Sequence, residues 1–458
     1  MKWKSTALGE IMRHRKGSIT IDDTATYKLC RVQVHRRGVV LRQELAGAGI
    51  STKKQQVCKA GDFLVAEMDA KVGGYGFVPA ELDGAIVSSH YYLFEVDTRK
   101  LHPAYLEVVS QAEILQQQIV AKGSTNYSSI RPGSVLEWKI PLPVDLDVQK
   151  QIARNFQVVQ SKLSTVGAEI THQQTLLTKL KQAILQEAIQ GKMTADWRKA
   201  NPDVEPASKL LERIKLEKDK LIKDKKLRPE KPLPPIAKNE IPFEIPKGWE
   251  WCRLGDINMK FLGGEAYQSG SILPSGINQV VRIGNIKPDT LELSKRPAFI
   301  SDSLAEETSA SLLQPGDILV TMTGTYQKKD YCFTVLLTEE YFGDRRLYQN
   351  QRVGCFRLHP EVHKPFLIRA LKLVPLLDPV FESSTGAANQ ANISKGALLN
   401  ILIPLPPLAE QVAIVERVEA LMTTCRTLEA EIEHARTNAD QLLQSVLKEA
   451  FTPSLTNV

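Results

Sequence analysis

Ile152–Ile184 reads IARNFQVVQSKLSTVGAEITHQQTLLTKLKQAI, and Ile414–Val446 reads IVERVEALMTTCRTLEAEIEHARTNADQLLQSV. In the first stretch Ile152, Phe156, Val159, Leu163, Val166, Ile170, Gln173, Leu177, Leu180 and Ile184 recur at alternating spacings of four and three. In the second, Ile414, Val418, Leu421, Cys425, Leu428, Ile432, Ala435, Ala439, Leu442 and Val446 repeat the pattern at a constant offset of 262. A repeat of about 3.5 residues keeps one narrow seam turned toward a partner helix along its length, whereas a lone surface helix shows a broader stripe of period about 3.6. Two readings follow: long helices paired with each other, or two amphipathic helices each packed on its own domain. The position-for-position match favours pairing. Ala435 and Ala439 then need bulky partners opposite them, and Gln173 supplies a polar member that fixes register.

The residues upstream of each helix repeat as well, and a period near half the chain length implies a duplicated fold. Trp3-x4-Leu8-Gly9-Glu10-Ile11 returns as Trp249-x4-Leu254-Gly255-Asp256-Ile257, an offset of 246. Ala60-Gly61-Asp62-Phe63-Leu64-Val65 returns as Pro315-Gly316-Asp317-Ile318-Leu319-Val320 at an offset of 255. Each is a Gly-Asp turn feeding a short apolar run that reads as a buried strand. Polar, glycine-containing stretches follow at 123–130 and 385–393, then Ile140-Pro141-Leu142-Pro143 and Ile403-Pro404-Leu405-Pro406 at an offset of 263. Landmarks preserved under a drifting offset mean two copies of one fold whose loops differ in length.

The segmentation is therefore 1–143, a first globular head; 144–190, a central long helix; 191–245, a connector; 246–406, a second head; and 407–452, a C-terminal long helix. Asp145 or Asp147 caps the first helix, and Pro406 and Pro407 fit the first turn of the second. The connector opens with Trp197–Pro206, continues as a charged helix from about Ala207 to Arg228, and ends in a proline-rich run, 229–246, that reads as an extended, semi-rigid strap. The expected fold class is α+β: two similar mixed α/β heads separated by two long antiparallel coiled-coil helices in a pseudo-two-fold arrangement.

Composition narrows the function classes. The chain has 458 residues, too many for one ordinary core, and 43% are hydrophobic. No apolar run approaches a membrane span and no signal-peptide core follows the first residues, so a cytoplasmic protein is expected. Cys30, Cys58, Cys252, Cys332, Cys355 and Cys425 form no CxxC pair, which points to buried thiols and away from a zinc ribbon or disulfide framework. Formal charge is +7, with Lys and Arg exceeding Asp and Glu by 19 to 14 both in residues 1–140 and in 141–245. The densest run, Lys215–Lys226, reads first as a solvated helix face.

In their order and duplication these motifs resemble the specificity subunits of type I restriction-modification systems, and the resemblance covers essentially the whole chain, including Ile245-Pro246-Lys247-Gly248-Trp249-Glu250-Trp251. It implies that both heads are target recognition domains reading double-stranded DNA, and that the helices pair antiparallel between them. It further implies that two methyltransferase subunits dock on the helical region and that restriction (translocase) subunits join them. S-adenosylmethionine, ATP and magnesium would belong to those partners, with no cofactor and no metal in this chain. The heads differ in sequence, so the site should be asymmetric, two half-sites whose centres lie about one helical turn, roughly 34–36 Å, apart.

Base readout needs side chains that donate and accept in pairs, while lysines mostly position phosphates. In the second head the candidates are Thr325, Tyr326, Gln327, Lys328 and Lys329 after a strand ending at Gly324; Arg345, Arg346, Tyr348, Asn350, Gln351 and Arg352; and Asn389, Gln390 and Asn392. In the first they are Arg36, Arg37, Lys53, Lys54, Gln55, Lys71, Tyr75 and Asn126.

Catalytic readings find little support. There is no glycine-rich cofactor loop with an Asn/Asp-Pro-Pro-aromatic tetrapeptide, since Asn201-Pro202-Asp203-Val204 does not qualify, and no phosphate loop. Asp224-Lys225-Lys226 matches a nuclease fragment only because the helix is rich in lysine. His359 and His363 lack the order and third ligand of a zinc protease and read as ordinary surface histidines. The competing non-catalytic reading, a coiled-coil adaptor binding only protein, leaves two dissimilar loop-rich heads unexplained.

Overall fold

The computed structural model describes residues 3–119, 129–288, 290–386 and 389–451. They form two compact units, 1–173 with 431–458, and 174–430. Both units therefore take a share of each long helix.

Unit 1 runs β1 (Lys4–Ala7), β2 (Met12–Arg15), β3 (Ser18–Thr20), β4 (Thr26–Val32), β5 (Val39–Ala46), β6 (Lys54–Val57), β7 (Phe63–Ala66), β8 (Tyr75–Phe77), β9 (Ile86–Val87), β10 (Tyr91–Val96), α1 (Pro103–Gln111), α2 (Pro132–Leu136), β11 (Lys139–Leu142) and the long α3 (Leu146–Ile189). The apolar run after Gly61-Asp62 becomes β7, buried at all four positions. It lies inside a four-stranded sheet of order β2-β10-β7-β8, with every neighbour antiparallel. The Ile-Pro-Leu-Pro strand, β11, pairs with β1. A second sheet, β3-β6-β9-β4-β5, is built on the long β4–β5 hairpin. Leu8, Phe63, Tyr105 and Trp138 share the main core, which joins the first sheet to α1 and α2.

Unit 2 contains α4 (Ala195–Ala200), α5 (Ala207–Lys223), β12 (Glu250–Arg253), α6 (Leu254–Ile257), β13 (Asn258–Gly263), β14 (Asn278–Val281), β15 (Phe299–Ile300), α7 (Asp302–Glu307), β16 (Ile318–Thr321), β17 (Thr323–Gly324), β18 (Thr334–Leu336), β19 (Arg346–Gln349), β20 (Val353–Leu358), α8 (Lys364–Ala370), α9 (Val374–Glu382), β21 (Ala391–Asn392), α10 (Lys395–Leu399), β22 (Leu402–Leu405) and the long α11 (Leu408–Ala450). Its central sheet has the order β13-β20-β16-β18, and β12 pairs with β22. Both arrangements match those of unit 1 strand for strand. The accessory sheet differs: three strands, β15-β14-β19, with β14 and β19 parallel. The molecule is thus α+β, with one fold occurring twice.

Several expectations are refined. Within the connector a short helix, α4, covers Ala195–Ala200. The charged helix stops at Lys223. Asp145 caps α3, its Oδ1 accepting from the Asp147 N–H at 2.8 Å. All six cysteines are buried and free. His359 is not a surface histidine: it is buried, with Nε2 2.8 Å from Glu217 Oε2 on α5.

Each long helix is pinned where it begins. Gln149 Nε2 donates to the carbonyls of Pro143 and Lys100 at 2.8 and 3.1 Å, and its Oε1 accepts from the His102 N–H at 2.7 Å. Gln411, 262 residues on, donates to the Pro406 carbonyl at 2.9 Å and accepts from the His363 N–H at 3.1 Å. In both units one fully buried amide ties the Ile-Pro-Leu-Pro strand to the helix that follows the central sheet.

Candidate nucleic-acid interface

The repeated Gly-Asp turn positions the functional end of each head. Gly61 and Gly316 have φ of +83° and +87°, a backbone that side-chain-bearing residues rarely adopt. The next residue folds its carboxylate back: Asp62 accepts from the Lys59 N–H at 2.6 Å and Asp317 from the Gln314 N–H at 2.8 Å. Each buried carboxylate also holds a guanidinium in bidentate fashion. Arg15 on β2 serves Asp62, and Arg357 on β20 serves Asp317 at 2.7 and 2.8 Å. This fixes the start of β7 and β16, and so the direction in which their far ends leave the sheet. Beyond those ends one backbone hydrogen bond recurs, Ile130 N–H to Glu67 carbonyl at 3.2 Å and Ile393 N–H to Met322 carbonyl at 2.8 Å. It brings the loop after the strand beside Ile130, just ahead of α2, or Ile393, just ahead of α10.

In the second head this bond and the β17–β21 pairing join two of the predicted segments, and a third converges on them. The Met322 N–H donates to the Arg352 carbonyl at 3.1 Å, while Gln351 N–H and Asn350 Nδ2 donate to the Glu265 carbonyl at 2.9 and 3.4 Å. Asp330 closes the Thr325–Asp330 loop by accepting from the Thr325 N–H at 2.5 Å. At its crest Tyr326, half exposed at 50%, stands with exposed Gln327 and Lys328. Lys329 turns aside, its Nζ 3.4 Å from Asp378 and 5.0 Å above the Phe381 ring. On the adjoining segments lie exposed Gln351, Arg352, Asn389 and Gln390 and half-buried Asn350 and Asn392.

Not every candidate joins this cluster. Arg345 and Arg346 sit at the opposite end of β19 from Asn350, about 13 Å along an extended strand. Arg345 donates to Gln279 Oε1 at 3.1 Å, and Arg346 is exposed. Tyr348 is a correction: it is buried among Val280, Ala298, Ile300 and Ala305, because its strand alternates toward the accessory core.

The first head gathers fewer of its candidates. The β4–β5 turn lies on the loop after β7, with the His35 N–H donating to the Val72 carbonyl at 2.7 Å and the Arg36 N–H to the Gly73 carbonyl at 3.0 Å. Exposed Arg37 and Lys71 therefore share one end of the head. Arg36 is held by Gln116. Lys53 braces a turn through Asp23 and the Gly47 carbonyl, and Lys54 is exposed on β6. Gln55 and Tyr75 are corrections. Gln55 is buried and donates to the Thr52 carbonyl at 2.7 Å. Tyr75, 1% exposed, packs against Phe63 and Trp138, and burial pushes its hydroxyl up to about 12. Asn126 lies outside the described residues. Sequence reasoning, which weighed polar side chains only, missed Met68 and Val72, both about two-fifths exposed on the same loop; their apolar exposure between Gly-Asp turn and hairpin has no sequence signature.

Along the helices the seam is only partly closed. In unit 1 Ala153 and Phe156 pack with Leu443, Val446 and Leu447, and Ile170 is buried; Ile152, Val159, Leu163 and Ile432 are half-buried. Unit 2 buries Leu177, Ile184, Ile414, Val418 and Cys425. Lys181 of α3 meets Glu429 of α11 at 2.5 Å, and Asp196 of α4, just past the end of α3, meets Arg417 at 2.7 Å, so the chain along and beyond α3 runs opposite to α11. Val166, Leu180, Leu421, Leu428 and Leu442 of the seam remain exposed, Leu442 by 52%.

Among the described residues no group of three His, Cys, Asp or Glu is placed to hold a metal ion, and no helix is long and apolar enough to cross a membrane. The fold and site define a tandem-duplicated α+β protein whose heads share a skeleton, differ at their tips and are carried on long helices. The family model for the type I restriction modification DNA specificity domain matches residues 1–174 and 246–435. The chain belongs to that family. It is 32% identical over 262 residues to the type I restriction enzyme EcoAI specificity subunit of Escherichia coli, and 30% identical over 290 residues to the EcoEI specificity subunit of the same species. These alignments cover 56% and 61% of this chain but only 42% and 45% of those relatives, so less than half their length is matched. A solved chain of a type I R-M system covers 99% of this one and 98% of its own length with a TM-score of 0.68 at 18% identity, which shows a common fold.

Proposed function

We propose that this chain is the DNA-recognition subunit of a type I restriction-modification complex, reading an asymmetric, bipartite site on double-stranded DNA. The observation that carries the reading is the contrast within the duplication. The two heads keep the same sheet order, Gly-Asp turn and helix-pinning glutamine, yet present different side chains at the equivalent tip. A fold kept constant beneath a variable polar cleft fits two readers of different base sequences. Tyr326, Gln327, Gln351, Arg352, Asn389 and Gln390 would face the bases of one half-site, and Arg37 and Lys71 would serve the other. Bidentate pairing of Arg with guanine and of Asn or Gln with adenine supplies the discrimination, about 1–3 kcal/mol per good pair.

In this reading the chain has no active site. Two methyltransferase subunits dock along the helices and restriction subunits join them, bringing S-adenosylmethionine, ATP and magnesium, all in the cytoplasm. The exposed apolar side chains of α3 and α11 support docking, because a monomer rarely leaves such a stripe in water. Long-read methylation mapping of cells carrying this chain and its methyltransferase partner should reveal adenine marks at one split, asymmetric motif. A continuous or palindromic motif would overturn the two-head reading. Tyr326→Ala with Gln327→Ala should change one half of that motif and leave the other intact. Absence of DNA binding in a gel shift, with or without methyltransferase subunits, would instead favour a protein-only adaptor.

A further inference from the structure

The connector ahead of the second head carries a concentration of charge that the recognition cleft does not use. Between Lys215 and Lys231 the chain has eight Lys or Arg and four Asp or Glu. One face of α5 is consumed by packing, with Ala207, Leu210 and Ile214 in the core of the head. Lys218 is consumed as well, its ammonium donating to the carbonyls of Gly255, Asp256 and Asn258 at 2.8, 3.3 and 3.0 Å. Glu217 is taken by His359 and Glu230 by Lys395 at 2.7 Å. The other cations, Lys215, Lys220, Lys223, Lys225, Lys226, Arg228 and Lys231, are exposed, and no ion pair or hydrogen bond engages their side chains among the described residues.

The chain that follows the lobe is tied to the head. Arg253 donates to the Pro234 and Pro235 carbonyls at 2.7 and 3.2 Å and pairs with Glu240, while Leu233 lies against Gly255. The Glu230–Lys395 bridge places the lobe beside the tip. Arg228 is two residues before Glu230, and Asn392 of the recognition cleft is three residues before Lys395. Lysines in the last turn of a helix complement its dipole, which accounts for Lys220 and Lys223. It does not account for Lys225, Lys226, Arg228 and Lys231, which lie past the end of α5.

We propose that this lobe clamps the phosphate backbone of DNA flanking the bases read by the second head, adding affinity without adding sequence information. The inference rests on the DNA-recognition reading above. Lysine-rich, unpaired and placed next to a base-reading cleft, the lobe has the chemistry of a phosphate clamp, since duplex DNA presents about one negative charge per 1.7 Å.

The test uses the full chain and a mixed-sequence DNA duplex, with fluorescence anisotropy followed across salt from about 50 to 200 mM. The variant is Lys223→Gln/Lys225→Gln/Lys226→Gln/Arg228→Gln. A charge-matched control replaces Arg154, Lys162, Lys179 and Arg436, all exposed on α3 and α11, with Gln. The lobe variant should flatten the slope of log affinity against log salt by about 0.9 for each phosphate it no longer neutralises, and weaken binding at least tenfold at low salt. The control should change neither, and both should melt like wild type. In cells the variant should keep the wild-type methylation motif. An unchanged slope overturns the inference while leaving the recognition reading intact, and failure to co-purify methyltransferase subunits with an unchanged slope assigns the lobe to a protein partner instead. Failure of the wild-type chain to bind the duplex at low salt, both alone and with methyltransferase subunits, sinks the recognition reading and this inference together.

Discussion

The two heads agree where their backbone is under constraint and diverge where it is not. Each has a four-stranded sheet of the same order, a glycine in the left-handed region before a buried aspartate, and a glycine against which a short helix rests. A Cβ on Gly9 would meet the Leu136 carbonyl oxygen at 3.2 Å, and one on Gly255 would meet the Leu399 carbonyl oxygen at the same distance. The accessory sheets share nothing comparable, five strands on a hairpin in one head and three in the other. The ion pair itself shows the rule. The aspartate is kept, but its arginine comes from β2 in the first head and from β20 in the second. A carboxylate that caps its own turn cannot move, whereas the guanidinium that neutralises it only has to arrive.

The largest effect expected from breaking that likeness comes from the carboxylates. Asp62→Ala or Asp317→Ala leaves a guanidinium without its partner and a turn without its cap, and should cost about 3 kcal/mol or more. Chemical denaturation with proteolytic mapping of the opened segments should show loss of the substituted head before the other. A cost under about 1 kcal/mol in either would mean that the turn is held by something else. Gly61→Ala and Gly316→Ala should follow at about 1–2 kcal/mol each, the strain of a left-handed backbone. A large inequality between them would show that the turns are not equivalent.

This division explains what was legible in the sequence. Trp-x4-Leu-Gly, Gly-Asp and Ile-Pro-Leu-Pro stood out because backbone geometry demands those residues, and the heptads because two helices must meet along a line. The duplication, the buried central strands and both long helices followed. The cleft of the second head was half legible. Its segments were all nominated, but only pairing across β17 and β21 revealed that Thr325–Lys328 and Asn389–Asn392 adjoin while Arg345 and Arg346 do not. Tyr75, Tyr348 and Gln55 were misjudged for one reason. A polar or aromatic residue beside a loop reads as exposed, and whether it turns inward depends on strand register set from far away in the chain.

Smaller effects sharpen the comparison at the helix starts. Gln149 makes three hydrogen bonds and Gln411 two, all from buried amides. Their alanine variants should lose about 1–3 kcal/mol, with Gln149→Ala the costlier, as measured by thermal or denaturant unfolding. The reverse order would mean that the second helix depends more on its start than its hydrogen bonds indicate.

The smallest change in stability, paired with a large change in behaviour, belongs to the seam. Leu163 is half-buried in unit 1, whereas Leu428 is 39% exposed in unit 2. Replacing Leu428 with Gln should therefore alter folding stability by no more than about 0.5 kcal/mol, and Leu163→Gln by somewhat more. If the open seam is where methyltransferase subunits sit, both variants should lose co-purification with them while the free chain still melts almost as wild type does. Should Leu428→Gln assemble normally, exposure along α11 does not mark a partner surface, and docking has to be sought on the heads.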